Sequence, residues 1–105
     1  MMSPQGSRYD PAEVAGLAHG RRIVATLRVA NWLIDHGYDA ADTLCDVLGA
    51  LGERGRWIGS CDLQNGAVAD EYVVGLEEDW CVKFWVDGVN EVVNVWSCCW
   101  DGSVH

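Results

Sequence analysis

Lys83 is the one lysine or arginine from Trp57 onward. An isolated ammonium among carboxylates can hold a phosphate or stabilise a developing negative charge. The same side chain on a strand can also simply pair with Asp70 or Glu71. Asp70-Glu71 and Glu77-Glu78-Asp79 supply oxygens of the type Ca²⁺ or Mg²⁺ takes, but neither run has EF-hand spacing. A solvated acidic surface, itself the recognition element, is the expectation for them. His19, His36 and His105 are too scattered to define an acid–base pair. No Gly-rich phosphate loop and no Ser with a recognisable His partner occurs. The five cysteines, Cys45, Cys61, Cys81, Cys98 and Cys99, are odd in number and contain no C-x-x-C pair. Zinc, with His105 or His36 as helper ligands, is the sharper alternative to reduced thiols. Adjacent Cys98 and Cys99 face opposite sides of a strand, so the expectation is thiols, with no metal and no cofactor.

Charge is distributed unevenly. The chain carries a formal net charge of −9. From Trp57 onward Lys83 stands against Asp62, Asp70, Glu71, Glu77, Glu78, Asp79, Asp87, Glu91 and Asp101. The first 36 residues are nearly neutral, with Arg8, Arg21, Arg22 and Arg28 against Asp10, Glu13 and Asp35. Such a field repels phosphate backbones, so direct nucleic-acid binding is not expected, and it attracts basic proteins.

The elements that must position these groups follow from the apolar pattern. At 105 residues the chain is long enough for one core. No apolar run reaches the ~18–20 residues of a membrane helix, and no basic segment followed by an apolar one opens the chain, so a cytoplasmic protein is expected. Residues 1–9 read as a flexible leader. Residues 10–105 read as a single α+β domain, helical over 10–55 and sheet over 56–101. Asp10 as N-cap, Pro11 at N1 and Glu13 at N3 start a helix whose stripe is Val14, Leu17 and Ala18. From Arg21 helical spacing resumes at Ile23, Leu27, Ala30, Leu33 and Ile34, and ends at His36-Gly37. Asp39 caps a third helix that buries Leu44, Val47, Leu48 and Leu51 and closes at Gly52 and Gly55.

After Arg56 the period falls to two. Strands are predicted over Trp57–Leu63, Val68–Leu76, Trp80–Val86 and Val89–Trp100, joined by an Asn65-Gly66 turn, an acidic loop and an Asp87-Gly88 turn. The predicted fold is two to three N-terminal helices on one face of a four-stranded antiparallel sheet. A two-residue turn at Asp87-Gly88 puts Trp80, Val82, Phe84, Val86, Val89, Val93 and Val95 on the helix side. The other side then carries Cys81, Lys83, Trp85, Asn90, Val92, Asn94, Trp96, Cys98 and Trp100. Three Trp on a face without helices imply either a chain segment curling over them or a contact surface.

The helix–helix–sheet order, with Asp70-Glu71-Tyr72, Trp80-Cys81-Val82-Lys83 and Val92-Val93-Asn94-Val95-Trp96-Ser97, resembles the MqsR-type toxins, small RelE-like ribonucleases of toxin–antitoxin systems. The likeness spans about residues 20–99. It implies Tyr72 and Lys83 as catalytic positions on the Lys83 side of the sheet. The tyrosine expected two residues before the lysine is Cys81, the basic residue expected after the last serine is replaced by Cys98 and Cys99, and the lysine expected on the first strand falls near Ile58-Gly59. RelE-like cleavage depends on positive side chains at a phosphodiester.

The function expected first is therefore non-catalytic: an acidic inhibitor that docks on a basic, nucleic-acid-binding protein. Asp70, Glu71, Glu77, Glu78, Asp79 and Glu91 would supply charge, and Lys83, Trp85, Trp96 and Trp100 would lie in the contact. Small acidic phage proteins that inhibit host defence nucleases, anti-CRISPRs among them, are similar in size and charge. The alternative is an RNA-cleaving toxin in which Tyr72 and Lys83 act with Arg21, Arg22, Arg28, Arg54 or Arg56. A homodimer that buries the Trp face is compatible with either.

Overall fold

In a computed structural model, residues 7–100 are described. Asp101 and His105 lie outside them. The order is α1 (Pro11–His19), β1 (Ile23–Ala25), α2 (Leu27–Asp35), α3 (Ala40–Gly49), α4 (Leu51–Arg54), β2 (Gly55–Asp62), β3 (Val68–Gly75), β4 (Asp79–Asp87) and β5 (Val92–Trp100). The α+β class agrees with the pattern. The sheet, however, has five strands in the order β1-β5-β4-β3-β2 and is mixed, because β1 runs parallel to β5.

The extra strand comes out of the predicted second helix. Gly20 ends α1 and Arg21 adopts φ 58, with Arg21 N and Arg22 N donating to Ala18 O and Leu17 O. That left-handed residue turns the chain, and Ile23-Val24-Ala25 pairs with Val93-Asn94-Val95. Thr26 then caps α2 by accepting from Val29 N at 3.2 Å. Only Val29 and Leu33 of α2 are fully buried, and Leu27 and Ile34 are exposed. Asp10 caps α1 and Asp39 caps α3 as the sequence predicts. The third helix breaks at Ala50 into the short α4. A Cβ at Gly55 would collide with the Leu51 carbonyl. Gly55→Ala is therefore expected to lower stability by about 1–3 kcal/mol, read as a lowered thermal midpoint.

Among the described residues the four helices lie on one side of the sheet. Val14, Leu33, Val47, Leu48 and Leu51 pack with Tyr72, Val74, Trp80, Val82, Phe84, Val93, Val95 and Cys98 in one core. Two corrections concern β5. The turn is not Asp87-Gly88: Asp87 pairs with Val92 and Val86 with Val93, leaving Gly88–Glu91 as a four-residue loop in which Val89 is 92% exposed. Asp87 holds the loop by accepting from Asn90 Nδ2, Asn90 N and Val89 N, and these bonds, the Asn90 side chain first, keep its carboxyl below the usual range. The slip is an even number of residues, so Val93 and Val95 keep the predicted face.

The second correction is a bulge. Phe84 pairs with Val95 but Lys83 with Ser97, leaving Trp96 as an extra residue. Beyond it the faces exchange: Cys98 pairs with Val82 and Trp100 with Trp80. Cys98 and Trp100, predicted on the open face, are core-side residues. Trp100 donates to Tyr38 Oη at 3.2 Å and meets Trp32 edge-on with ring centroids 5.2 Å apart.

Cys98 has a measurable consequence. Burial first, and then the neighbouring Cys99 and Cys81, push its thiol well above the ordinary range. A raised folded-state value stabilises fully below the unfolded value of ~8.5, and that contribution is lost as pH rises beyond it. Tyr72, also raised, chiefly by burial, adds a similar loss above about pH 10. The thermal midpoint should therefore fall between about pH 8.5 and 10, and fall less in Cys98→Ala.

Candidate functional site

The register separates residues that the sequence groups together. Asp70 pairs with Phe84 and Tyr72 with Val82, so both face the helices. Asp70 is 0% exposed. Its carboxylate accepts from Arg8 N at 3.0 and 2.9 Å, from Tyr9 N at 2.9 Å, from Ser60 Oγ at 2.6 Å and from Ser7 Oγ at 3.3 Å. Asp70 is thus a buried clamp and not part of a contact surface. The segment Ser7–Tyr9, read as part of a flexible leader, is what it holds. Tyr9 Oη adds a 2.6 Å bond to Val68 O.

Tyr72 is likewise buried, stacked on Phe84 with ring centroids 5.9 Å apart and with its hydroxyl 3.2 Å from Ser7 Oγ. Lys83 pairs with Glu71 and Ser97 on the opposite face. The two positions implied by the toxin resemblance therefore do not converge. Lys83 is half-buried and makes no salt bridge among the described residues. Glu71 accepts instead from Cys81 Sγ at 3.0 Å.

The face away from the helices carries Glu71, Cys81, Lys83, Trp85, Asn94, Ser97 and Cys99. Trp85 is half-buried and Trp96 is 37% exposed. Arg28 sits over Trp96, 5.7 Å from the ring centroid, and donates to its carbonyl at 3.3 Å. Arg56, opposite Val73, belongs to the same face. This face therefore combines Lys83, Arg56 and Trp85 with the carboxylates of Glu71 and, at the two ends of β4, Asp79 and Asp87.

The acids gather at strand ends. Glu77, Glu78 and Asp79 are exposed at the β3–β4 turn, where Leu76 N donates to Glu78 O at 2.9 Å. Glu91 is exposed at the other end of β4, roughly 25 Å away at about 3.3 Å per residue. Its φ of 53 is accompanied by Arg22, whose guanidinium donates to Glu91 O at 2.7 Å and Asn90 O at 2.6 Å. Glu91 therefore does not join the Glu77–Asp79 cluster.

A residue from the helical half does join it. A groove of about 520 Å³ between α3 and the β3–β4 turn is lined by Tyr38, Thr43, Asp46, Val47, Leu76, Glu77, Glu78 and Trp80. Tyr38 and Trp80 meet edge-on at 5.1 Å. Three carboxylates thus rim a hollow with aromatic walls, a setting that suits an arginine or lysine side chain. Asp46 and Tyr38 were missed from sequence, because their approach to β4 depends on how α3 lies across the sheet. Among the described residues no group of three or more His, Cys, Asp or Glu is placed to hold a metal ion. No helix among them is long and apolar enough to cross a membrane. Compared with family models, characterised proteins and solved structures, the chain matches none.

Proposed function

We propose that this chain is a non-catalytic acidic binding protein that docks on, and blocks, a basic surface of a nucleic-acid-binding protein. The working surface is the corner of Asp46, Glu77 and Glu78 with the groove beside Trp80, and Asp79 adds its charge from the other face of the same turn. The observation that carries this reading is the groove itself, where carboxylates and aromatic rings converge on one opening. A basic side chain entering it meets the ring walls while its charge faces the rim. Trp100 leaves the list of contact anchors, because it packs among Trp32, His36, Tyr38 and Trp80 and supports the groove from behind. Nothing in the site favours the ribonuclease alternative, since Tyr72 and Lys83 face opposite sides of the sheet.

The test is capture from a nuclease-treated lysate with the tagged chain, at low and high salt, beside a Glu77→Lys/Glu78→Lys/Asp79→Lys variant. A nucleic-acid-binding protein retained by the wild type, released by salt and lost with the variant supports the proposal. The same protein retained equally by both contradicts it.

A further inference from the structure

Cys81 and Cys99 take no part in the acidic corner. The two are Cα partners in the β4–β5 ladder and lie on the face away from the helices. Directly opposed residues in an antiparallel pair have Cα atoms about 4.5 or 5.5 Å apart, depending on the pair type. Both values fall within the roughly 4.4–6.8 Å that a disulfide spans. The other cysteines are placed differently. Cys98 faces the core opposite Val82, Cys61 is opposite Ala69 on the edge strand β2, and Cys45 is on α3.

The two thiols also differ in access. Cys81 is half-buried and its Sγ donates to Glu71 Oε2 at 3.0 Å, whereas Cys99 is 4% exposed. We propose that Cys81 and Cys99 form a reversible disulfide by exchange with low-molecular-weight disulfides, Cys81 reacting first and Cys99 resolving. This is a modification site independent of the acidic corner.

In the first step the Cys81 sulfur bonds to one sulfur of the small disulfide as that S–S bond breaks. The Cys81 proton passes to the Glu71 carboxylate and on to solvent. The departing half leaves as a thiolate and is protonated. In the second step the Cys99 sulfur attacks the Cys81 sulfur, displacing the second half as a thiol, and the Cys99 proton goes to solvent. Two protein thiols lose two electrons in total, and one small disulfide becomes two thiols. A small dithiol reverses the sequence.

The experiment uses the full chain with Cys61→Ser, which removes the exposed thiol, treated with oxidised glutathione and read by intact mass without reductant. Circular dichroism confirms that each variant is folded. The expected product is about 2 Da lighter than the starting protein and carries no glutathione. Adding Cys99→Ala should halt the reaction at one retained glutathione, and adding Cys81→Ala should abolish both products. Adding Cys98→Ala should leave the lighter product unchanged, so the assignment stands on a variant that keeps the pair even if Cys99→Ala fails to fold. An unreactive parent, a parent that keeps its glutathione, a lighter product that survives Cys81→Ala, or its loss in folded Cys98→Ala would each overturn the proposal.

Discussion

Asp70→Ala is expected to destabilise the protein by about 3–5 kcal/mol. The carboxylate is fully buried and accepts from two backbone N–H groups and two hydroxyls. Alanine removes the carboxylate acceptor of the Arg8 and Tyr9 N–H groups and one acceptor from each hydroxyl, and each buried donor so orphaned costs about 1–3 kcal/mol. The total stays below the plain sum because Ser7 and Arg8 can turn toward water. For a domain of this size the thermal midpoint should drop by about 15 °C or more. Asp70→Asn should fall between, because the amide keeps one acceptor oxygen but turns an N–H₂ toward the remaining donors. Ser60→Ala removes one bond and should cost about 1 kcal/mol. Chemical denaturation measures all three. An Asp70→Ala variant within about 1 kcal/mol of wild type would contradict the clamp.

The second large effect concerns binding. Reversing Glu77, Glu78 and Asp79 to lysine should weaken affinity for a basic partner by about 100-fold, or close to 2.7 kcal/mol. The three side chains are exposed at one turn, so the folded state should tolerate the change. Reversal replaces attraction with repulsion at three neighbouring points, which makes the effect larger than three neutralisations. Most of it should appear in the association rate at low salt and fade as ionic strength rises. Reversing Glu91 alone should do little, since it stands at the far end of β4. Surface plasmon resonance at two salt concentrations separates these cases. Equal loss from Glu91→Lys would mean that the general field of the protein acts and the corner does not.

The sequence carried most of the local structure. Asp10 and Asp39 announced their helices, and Asn65-Gly66, with Gly66 at φ 86, announced the β2–β3 turn. What it hid was set by tertiary pairing. Ile23-Val24-Ala25 fits a helical apolar spacing, and it becomes a strand because β5 offers a free edge beside it. The Trp96 bulge moved Trp100 to the core side, and its trace was a step of three between Val95 and Cys98 where strict alternation demands two. A similar irregularity at Ile58 puts Trp57 and Ser60 on one face, where Trp57 Nε1 donates to Ser60 Oγ at 3.2 Å. Asp70 reads as a surface acid by type, and only the docking of Ser7–Tyr9 explains its burial. The acid count was visible at once, whereas its division between a clamp, an open face and two strand ends required the register.

The most direct measurement of the central claim is a ¹⁵N–¹H titration of the chain with an arginine-rich peptide. The account predicts amide shifts that cluster at Tyr38, Asp46 and Leu76–Trp80, and that vanish in the triple-lysine variant. Shifts centred on Lys83, Trp85 and Trp96, with the corner silent, would contradict it and assign recognition to the opposite face of the sheet.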